Sequence, residues 1–366
     1  MTSQNQCHKE WKFFLHECCV ESVAVSQSSV NRRKACVIDP QQTATYNFAN
    51  PGRGRSFMLG KIISIGRAVT PQCLMPLGQK VADALVAASV RRQHRQMLPK
   101  ILAYYQGKSV TPEQREVLDN LRSHGFNVFP YPKLFTSSPK HVAVLQDETL
   151  ALPYVMTGGK RLYYPADSTV DATRRNFFQE QIVSQHPESP HRYLTDDFNV
   201  QADDIVVDCG AADGNFALEV VDKVKKVYLF EPAERWQKPL NATFAPWKDK
   251  VVIVRKFLSD ETNDACVSLD DYFAGSGEVP TMLKMDIEGF EGRALKSAQS
   301  LLRAENGLRK VVVCTYHRQD DEKNLGEFLR ECGFKTTPSK GYMLFVYDDD
   351  VKPPYLRRGI IRATKN

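Results

Sequence analysis

The chain has 366 residues, of which 42% are hydrophobic and 25% are charged, as in soluble globular proteins with one large domain or two ordinary ones. No apolar run approaches the ~18 residues of a membrane span, and the N-terminus lacks the pattern of a secretory signal. The nine cysteines have neither the spacing of a zinc site nor that of a disulfide framework. We therefore expect no membrane span, no cysteine-bound metal and a cytoplasmic location.

The net charge of +6 is unevenly distributed along the chain. Residues 1–100 carry 14 Lys and Arg against 5 Asp and Glu, a net +9, so the remaining residues carry a net −3. A basic N-terminal part is compatible with contact to a nucleic acid or an anionic membrane surface, but a solvated extension explains it as well. Residues 1–57 are rich in polar side chains, and we predict a disordered extension there, with a short helix around 11–19.

Residues 58–195 have the pattern of an accessory region that is mainly helical first and then mixed. Apolar residues at helical spacing predict a helix over 81–105 with a break at Pro99. A second helix is predicted between Thr111 and Gly125, because Thr followed by Pro is a typical helix start and Gly a typical end. Short strand patterns and turn signals fill the rest of this region.

From residue 196 onward the pattern changes to a regular alternation of strands and helices. Five short apolar runs predict buried strands, with helices between them such as 291–302. This alternation predicts a parallel sheet covered on both faces. Near the C-terminus an antiparallel hairpin is predicted, because a turn signal joins 334–337 and 342–347. We assign 196–366 to one α/β domain. The five predicted strands are 205–207, 227–230, 251–254, 282–285 and 311–313.

The loop after the first predicted strand carries the strongest binding signal. It begins at Asp208 and reads DCGAADG, and Glu231 follows 21 positions beyond Gly210, the spacing of an acid that binds a ribose diol. A dinucleotide fingerprint would need glycines where this chain has Ala212 and Asn215, and Asp208 would repel a pyrophosphate. A ligand with an ammonium and a sulfonium group would be attracted, so the pattern favours S-adenosyl-L-methionine.

Candidate catalytic side chains follow the fourth and fifth predicted strands. Lys284, Asp286 and Glu288 alternate along one strand face, and His317 follows the neighbouring strand. Because carboxyl ends of parallel neighbours meet at one edge, we expect these side chains to lie together. An imidazole with a pKa of about 6.5 can act as a general base at neutral pH. His317 is therefore predicted to take the proton of the acceptor, with Asp286 assisting it or acting itself. Asp286, Glu288 and His317 could alternatively bind a divalent metal, but the sequence alone assigns no metal ligand.

These motifs resemble those of the FkbM family of methyltransferases over about residues 196–347. The resemblance implies a Rossmann-like class I methyltransferase fold, a mostly parallel seven-stranded sheet with one antiparallel strand. It also implies methylation of a hydroxyl on a sugar, a glycan or another small molecule, with S-adenosyl-L-methionine as the cofactor. The matching motifs are DCGAADG (208–214), FEP (230–232), SLDD (268–271) and LKMDIEG (283–289). The cofactor positions of the family would correspond to Asp208, Gly210, Ala211, Gly214 and Glu231.

Two other functions stay open from the sequence: a nicotinamide-dependent Rossmann oxidoreductase, and a catalytically silent methyltransferase fold that serves as a binding module. Methylation of nucleic-acid bases is disfavoured, because enzymes of this fold that act on bases often have N/D-P-P-Y/F where this chain has DIEG (286–289). The KPPY segment at 352–355 is expected to be a tail beyond the hairpin. We therefore expect a small-molecule or glycan acceptor and no nucleic acid; the particular acceptor and the oligomeric state are left open.

Overall fold

The computed structural model describes residues 75–347 and 351–365. The extension predicted over 1–57 and the short helix around 11–19 lie outside these residues. The described part consists of a seven-stranded sheet with helices on both faces and an N-terminal region of helices and a smaller sheet. No helix in this part of the chain has the length and apolar character that crossing a membrane requires.

Helix α1 (Met75–Tyr105) runs unbroken through Pro99, so the predicted break there is wrong. Pro99 is exposed, and a proline on the water-facing side of a helix can be accommodated by slight bending away from the carbonyl that its ring meets. Met97, Ile101 and Tyr105 lie on the other side and are buried in one hydrophobic cluster. This burial holds both halves of the helix against the same core.

Helix α2 (Pro112–His124) begins and ends where the sequence predicted. The Thr111 hydroxyl accepts the N–H of Gln114 at the start, and Gly125 ends the helix with a φ of 81°. A small antiparallel sheet follows, whose second turn is formed by glycines at 158–159, and then a helix that continues into a π-helical segment. These elements are β1 (Val144–Asp147), β2 (Leu152–Thr157), β3 (Lys160–Tyr163), α3 (Val170–Phe177) and the π-helical segment (Phe178–Val183).

The main sheet contains all five strands predicted from the apolar runs. Its strands are β4 (Ile205–Cys209), β5 (Lys226–Phe230), β6 (Val251–Val254), β9 (Met282–Met285), β10 (Lys310–Cys314), β11 (Lys335–Pro338) and β12 (Ile360–Thr364), while β7 (Phe257–Leu258) and β8 (Cys266–Val267) form a separate pair. The sheet order is β11-β12-β10-β9-β4-β5-β6. Strand β12 runs antiparallel to both neighbours, and the other six strands are parallel to one another.

Side chains of the main sheet alternate between two buried clusters, one on each face, as with Val206 and Val207. The helices that cover these faces are α4 (Asn215–Val220), α5 (Glu234–Phe244), α6 (Leu269–Ser276), α7 (Glu291–Lys296), α8 (Gln299–Arg303) and α9 (Asp321–Glu331). The single helix predicted over 291–302 is therefore two short ones. Ser297 lies at the junction and donates its hydroxyl to the carbonyl of Ala294, a local bond that competes with helix continuation.

The predicted antiparallel hairpin near the C-terminus is confirmed, but its second strand is β12. β11 pairs with β12, not with residues 342–347. The apolar run at 342–347 instead packs against the N-terminal region, where Leu344 donates its N–H to the carbonyl of Val128. A short apolar run cannot by itself distinguish a strand from another buried segment. The KPPY segment at 352–355 consequently lies between β11 and β12 and is not a tail.

The N-terminal region and the main sheet share a hydrophobic core. Leu162 of β3 packs in the same buried cluster as Phe216 of α4. In addition, the backbone N–H of Tyr163 donates to the hydroxyl of Thr243 in α5, at 3.0 Å. The described part of the region 58–195 is therefore packed directly on one face of the main sheet.

Candidate cofactor and reaction site

The DCGAADG loop leaves β4 where the strand order reverses between β4 and β9, the position at which parallel α/β sheets bind ligands. Gly210 has a φ of 73°, and a Cβ there would lie 2.0 Å from the carbonyl oxygen of Asp286. Glycine therefore lets the ends of β4 and β9 approach closely. Gly214 has a φ of 83°, and a Cβ there would lie 2.8 Å from the ring of Phe244. Both glycines fix the shape of the loop at the strand edge.

Asp208 and Lys284 form a fully buried ion pair beneath this loop. The ammonium of Lys284 lies 2.8 Å from a carboxylate oxygen of Asp208, and it donates to the carbonyl of Gly210 at 2.8 Å. Burial would lower the pKa of Lys284, but the negative charge of Asp208 keeps it above its usual value. Lys284 thus neutralises Asp208 and ties β9 to the loop, whereas the sequence placed it among the catalytic candidates.

Glu231 directly follows β5, and its buried carboxylate is fixed beside the loop. Its two oxygens accept the backbone N–H groups of Ala212 and Ala233, at 2.9 and 2.8 Å. Ala211 is held on the same side by its N–H, which donates to the carbonyl of Phe230. Burial raises the pKa of Glu231 to about 7, although both backbone hydrogen bonds oppose the shift. Each oxygen of an ionised carboxylate can accept a further hydrogen bond, so Glu231 can still bind a hydroxyl.

Asp286 follows β9 and is held in place by aromatic and imidazole groups. The hydroxyl of Tyr193 donates to Oδ2 at 2.7 Å, and Nε2 of His191 lies 3.4 Å from the same oxygen. The hydroxyl of Tyr316 donates to Oδ1 at 3.4 Å. Burial would raise the pKa of Asp286, but the contact with His191 and the positive charge of His317 hold it well below its usual range. A fixed, ionised carboxylate results.

His317 is buried beyond the end of β10 and faces three carboxylates. Its Nδ1 atom lies 2.9 Å from Glu291, and its Nε2 atom lies 3.4 Å from Glu288 and 3.6 Å from Asp286. Burial would lower the pKa of His317, but these charges raise it to about 10. The expected proximity of Asp286, Glu288 and His317 is observed. The ring is protonated at neutral pH, however, which a histidine with an ordinary pKa would not be.

Other polar side chains face this edge without having been selected from the sequence. His191 and Tyr193 come from the segment before β4, and Glu180 comes from the π-helical segment. Burial raises the pKa of Glu180 to about 8, with a further contribution from the charge of Asp213. Asp213 belongs to the DCGAADG motif, and burial raises its pKa to about 6. The motif could have indicated Asp213, but no local pattern marks the other three residues.

The charges at this edge suit a cationic ligand. Lys284 is paired with Asp208, which leaves the carboxylates of Asp213, Glu231 and Asp286 around the loop. A pyrophosphate would be repelled by these acids, whereas an ammonium or a sulfonium group would be attracted. The residues present therefore fit S-adenosyl-L-methionine.

Six parallel strands, one antiparallel strand and a glycine-containing loop at the switch point define the Rossmann-like class I methyltransferase fold. The sequence supports an assignment to a family. A protein-family model described as the Methyltransferase FkbM domain matches residues 242–336. Over these residues the chain matches an FkbM methyltransferase domain, so the predicted resemblance is confirmed. The match includes the motifs at 268–271 and 283–289, whereas those at 208–214 and 230–232 precede it.

No curated protein matches the chain. Among solved structures, a methyltransferase FkbM from Methylobacillus flagellatus KT is similar at 18% identity and a TM-score of 0.39, over 53% of this chain and 51% of that one. The similarity thus spans about half of that protein. A precorrin-6y methyltransferase from Geobacter metallireducens GS-15 is similar at 17% identity and a TM-score of 0.32, over 46% and 82% of the two chains. A dimethyladenosine transferase from Plasmodium falciparum is similar at 12% identity and a TM-score of 0.30, over 46% of this chain and 57% of that one.

Proposed function

We propose that this methyltransferase uses S-adenosyl-L-methionine to methylate a hydroxyl on a sugar, a glycan or another small molecule. The observation that carries the proposal is the carboxylate-lined edge at the switch point. Glu231 lies beyond β5 on one side of the loop, and Asp286 lies beyond β9 on the other. When bound, S-adenosyl-L-methionine supplies a methyl group on a sulfonium, which a nucleophile takes by in-line displacement.

On the cofactor side, the residues of the loop and of β5 bind and orient the ligand. Glu231 accepts hydrogen bonds from the ribose hydroxyls, while Gly210, Ala211 and Gly214 give the loop its shape. Asp208 acts from beneath the loop, since its charge is paired with Lys284. These roles agree with the cofactor positions that the family resemblance implies.

At the reaction end, a hydroxyl acceptor must lose a proton as it attacks the methyl group. We infer that Asp286 accepts this proton, because its carboxylate is ionised, fixed and 18% exposed. His317 was the first candidate for this role. The three carboxylates around it keep a positive charge on the ring. His317 therefore supports the ionised state of Asp286 and helps to orient it. Glu288 lies on the exposed side of this cluster.

Replacement of Glu231 by Gln should weaken the binding of S-adenosyl-L-methionine. Loss of a charge-assisted hydrogen bond costs about 1.5–3 kcal/mol, which corresponds to roughly 10- to 100-fold in affinity. Titration calorimetry measures the change directly. Glu234→Gln is a matched control, because this exposed acid lies three residues further on and pairs with Arg255. Equal affinities for Glu231→Gln and the unsubstituted protein would place the ribose elsewhere.

Cofactor affinity should also depend on pH through the same carboxylate. Because the pKa of Glu231 is raised to about 7, the protonated fraction grows as the pH falls below this value. A protonated carboxyl accepts fewer hydrogen bonds, so we expect the affinity to fall as the pH is lowered through 7, by at most about tenfold per pH unit. Calorimetry between about pH 5.5 and about pH 8.5 measures this. A Glu231→Gln variant that kept the same pH profile would assign the titration to another group.

The acceptor class is tested by incubating the full chain with S-adenosyl-L-methionine carrying a radiolabelled methyl group and a panel of acceptors. The proposal predicts label on sugars, glycans or small hydroxyl compounds, recovered as methyl ethers. Label transferred to RNA or DNA bases and not to hydroxyl compounds would contradict it. The rival oxidoreductase function would instead show oxidation of a substrate with NAD, and a silent binding module would bind the cofactor without transferring label to any acceptor.

A further inference from the structure

Glu291 and His317 together contain an unusual concentration of buried ligand atoms without hydrogen bonds. The Oε2 atom of Glu291 is buried and makes no hydrogen bond with any residue between 75 and 365 that the structure describes. Both ring nitrogens of His317 are also buried, and they contact carboxylate oxygens at 2.9 to 3.6 Å without the geometry of a hydrogen bond. Burying polar atoms without partners costs free energy. Such atoms therefore point to a group that binds between them.

Asp286 completes this arrangement from the side of the reaction edge. Asp286, Glu291 and His317 each offer a ligand atom within 4.8 Å of the other two. Nε2 of His317 lies 3.6 Å from Oδ1 of Asp286, and two ligands each about 2.1 Å from one ion lie roughly 3.0 to 3.4 Å apart. A small side-chain adjustment therefore brings Nε2 and Oδ1 to coordination distance. Glu291 faces the other ring nitrogen, Nδ1, at 2.9 Å and must reorient to reach the same ion.

We propose that Asp286, Glu291 and His317 bind a divalent transition-metal ion of the Mn²⁺ or Zn²⁺ type. One imidazole with two carboxylates is a donor set for these ions, whereas Mg²⁺ and Ca²⁺ prefer oxygen ligands alone. The ion would replace the proton that the His317 ring carries in its absence, because a metal ligand must be deprotonated. The site is independent of the identity of the methyl acceptor, and it can be tested without any measurement of methyl transfer.

The surroundings of the three ligands support the same conclusion. The Oδ2 atom of Asp286 is already held by the hydroxyl of Tyr193 at 2.7 Å. Oδ1 faces His317 and receives a longer hydrogen bond, at 3.4 Å, from the hydroxyl of Tyr316. On the exposed side, Glu288 lies 3.4 Å from Nε2 of His317 and adds a third negative charge. Partners that orient metal ligands in this way strengthen metal sites. An ion bound to Oδ1 would also ease the loss of the proton of an acceptor hydroxyl beside it, and Asp286 would then act through the ion.

The test is a titration of the full chain, first stripped with a chelator, with Mn²⁺, followed by the electron paramagnetic resonance signal of the free ion. Zn²⁺ is then added as a competitor. The proposal predicts one Mn²⁺ per chain, displaced by Zn²⁺. Even residues that only orient a ligand contribute about 10- to 100-fold to metal affinity, so Glu291→Gln and Asp286→Asn should each weaken Mn²⁺ binding at least tenfold.

Two variants are needed because Glu291 is fully buried, and its replacement can impair folding. Asp286→Asn keeps the volume of a partly exposed side chain, and its melting temperature shows whether the fold is intact. Glu305→Gln changes an exposed acid in the segment before β10 and should leave Mn²⁺ affinity unchanged. If the unsubstituted protein binds neither ion, or if both site variants bind Mn²⁺ as tightly as it does, the site is absent, whatever the outcome for S-adenosyl-L-methionine.

Discussion

Asp286→Asn should lower the rate of methyl transfer by about 10² to 10⁴, the usual contribution of a positioned proton acceptor. The amide has nearly the same shape as the carboxylate but cannot accept the proton of a hydroxyl. Affinity for S-adenosyl-L-methionine should change little, because we place the ribose at Glu231, beyond another strand. Turnover with saturating cofactor and a verified acceptor, together with calorimetric cofactor affinity, separates the two effects.

Asp260→Asn is the matched control for this substitution. Asp260 pairs with Arg293 at the protein surface, at 2.8 Å, and its replacement should leave turnover nearly unchanged. The comparison with His317→Ala is equally informative. Normal turnover in Asp286→Asn and a lost reaction in His317→Ala would show that the imidazole takes the proton despite the carboxylates around it.

Lys284→Met should destabilise the fold by about 3–5 kcal/mol, the usual cost of removing one partner of a buried ion pair. The substitution leaves Asp208 charged and without a counterion beneath the cofactor loop. It also removes the hydrogen bond to the carbonyl of Gly210. The free energy of unfolding in urea measures the loss, and a coupled decrease in cofactor affinity is expected because Lys284 supports the loop.

Lys226→Met provides a control on another strand of the same sheet. Lys226 contacts Glu278 at 2.9 Å, but their side chains are 25% and 31% exposed, so its removal should cost only about 0.2–1 kcal/mol. Adding Asp208→Asn to Lys284→Met should restore much of the lost stability, because the unpaired buried charge is then gone. Equal losses of stability for Lys284→Met and Lys226→Met would mean that the buried ion pair contributes no more to stability than the exposed one.

The main sheet could be predicted because its information is local. The runs at 205–207 and 282–285 are short, apolar and bounded by polar residues, and a strand buried on both faces has this pattern. The second strand of the hairpin was predicted wrongly because its position depends on contacts that are distant in the sequence. The apolar run at 342–347 has the composition of a strand, but its burial comes from contact with the N-terminal region, which nothing within the run indicates.

The site was predictable to the extent that its residues follow strands. The proximity of Asp286 and His317 was predicted from the rule that the carboxyl ends of parallel strands meet at one edge of the sheet. The charge of His317 was not predictable, because it depends on Glu291, whose position relative to the ring is set by the turn into α7. Tyr193 comes from a segment with no regular pattern, so no spacing rule connects it with Asp286.

We propose that the switch-point edge binds S-adenosyl-L-methionine and not a dinucleotide. The most direct test is the thermal unfolding of the full chain with S-adenosyl-L-methionine, with its demethylated product, or with NAD. A ligand at 100 times its dissociation constant adds about 2.7 kcal/mol to the stability of the folded state. We predict this stabilisation for S-adenosyl-L-methionine and its product, its reduction in Glu231→Gln, and no effect of NAD. Stabilisation by NAD without any by S-adenosyl-L-methionine would show that this edge binds a dinucleotide.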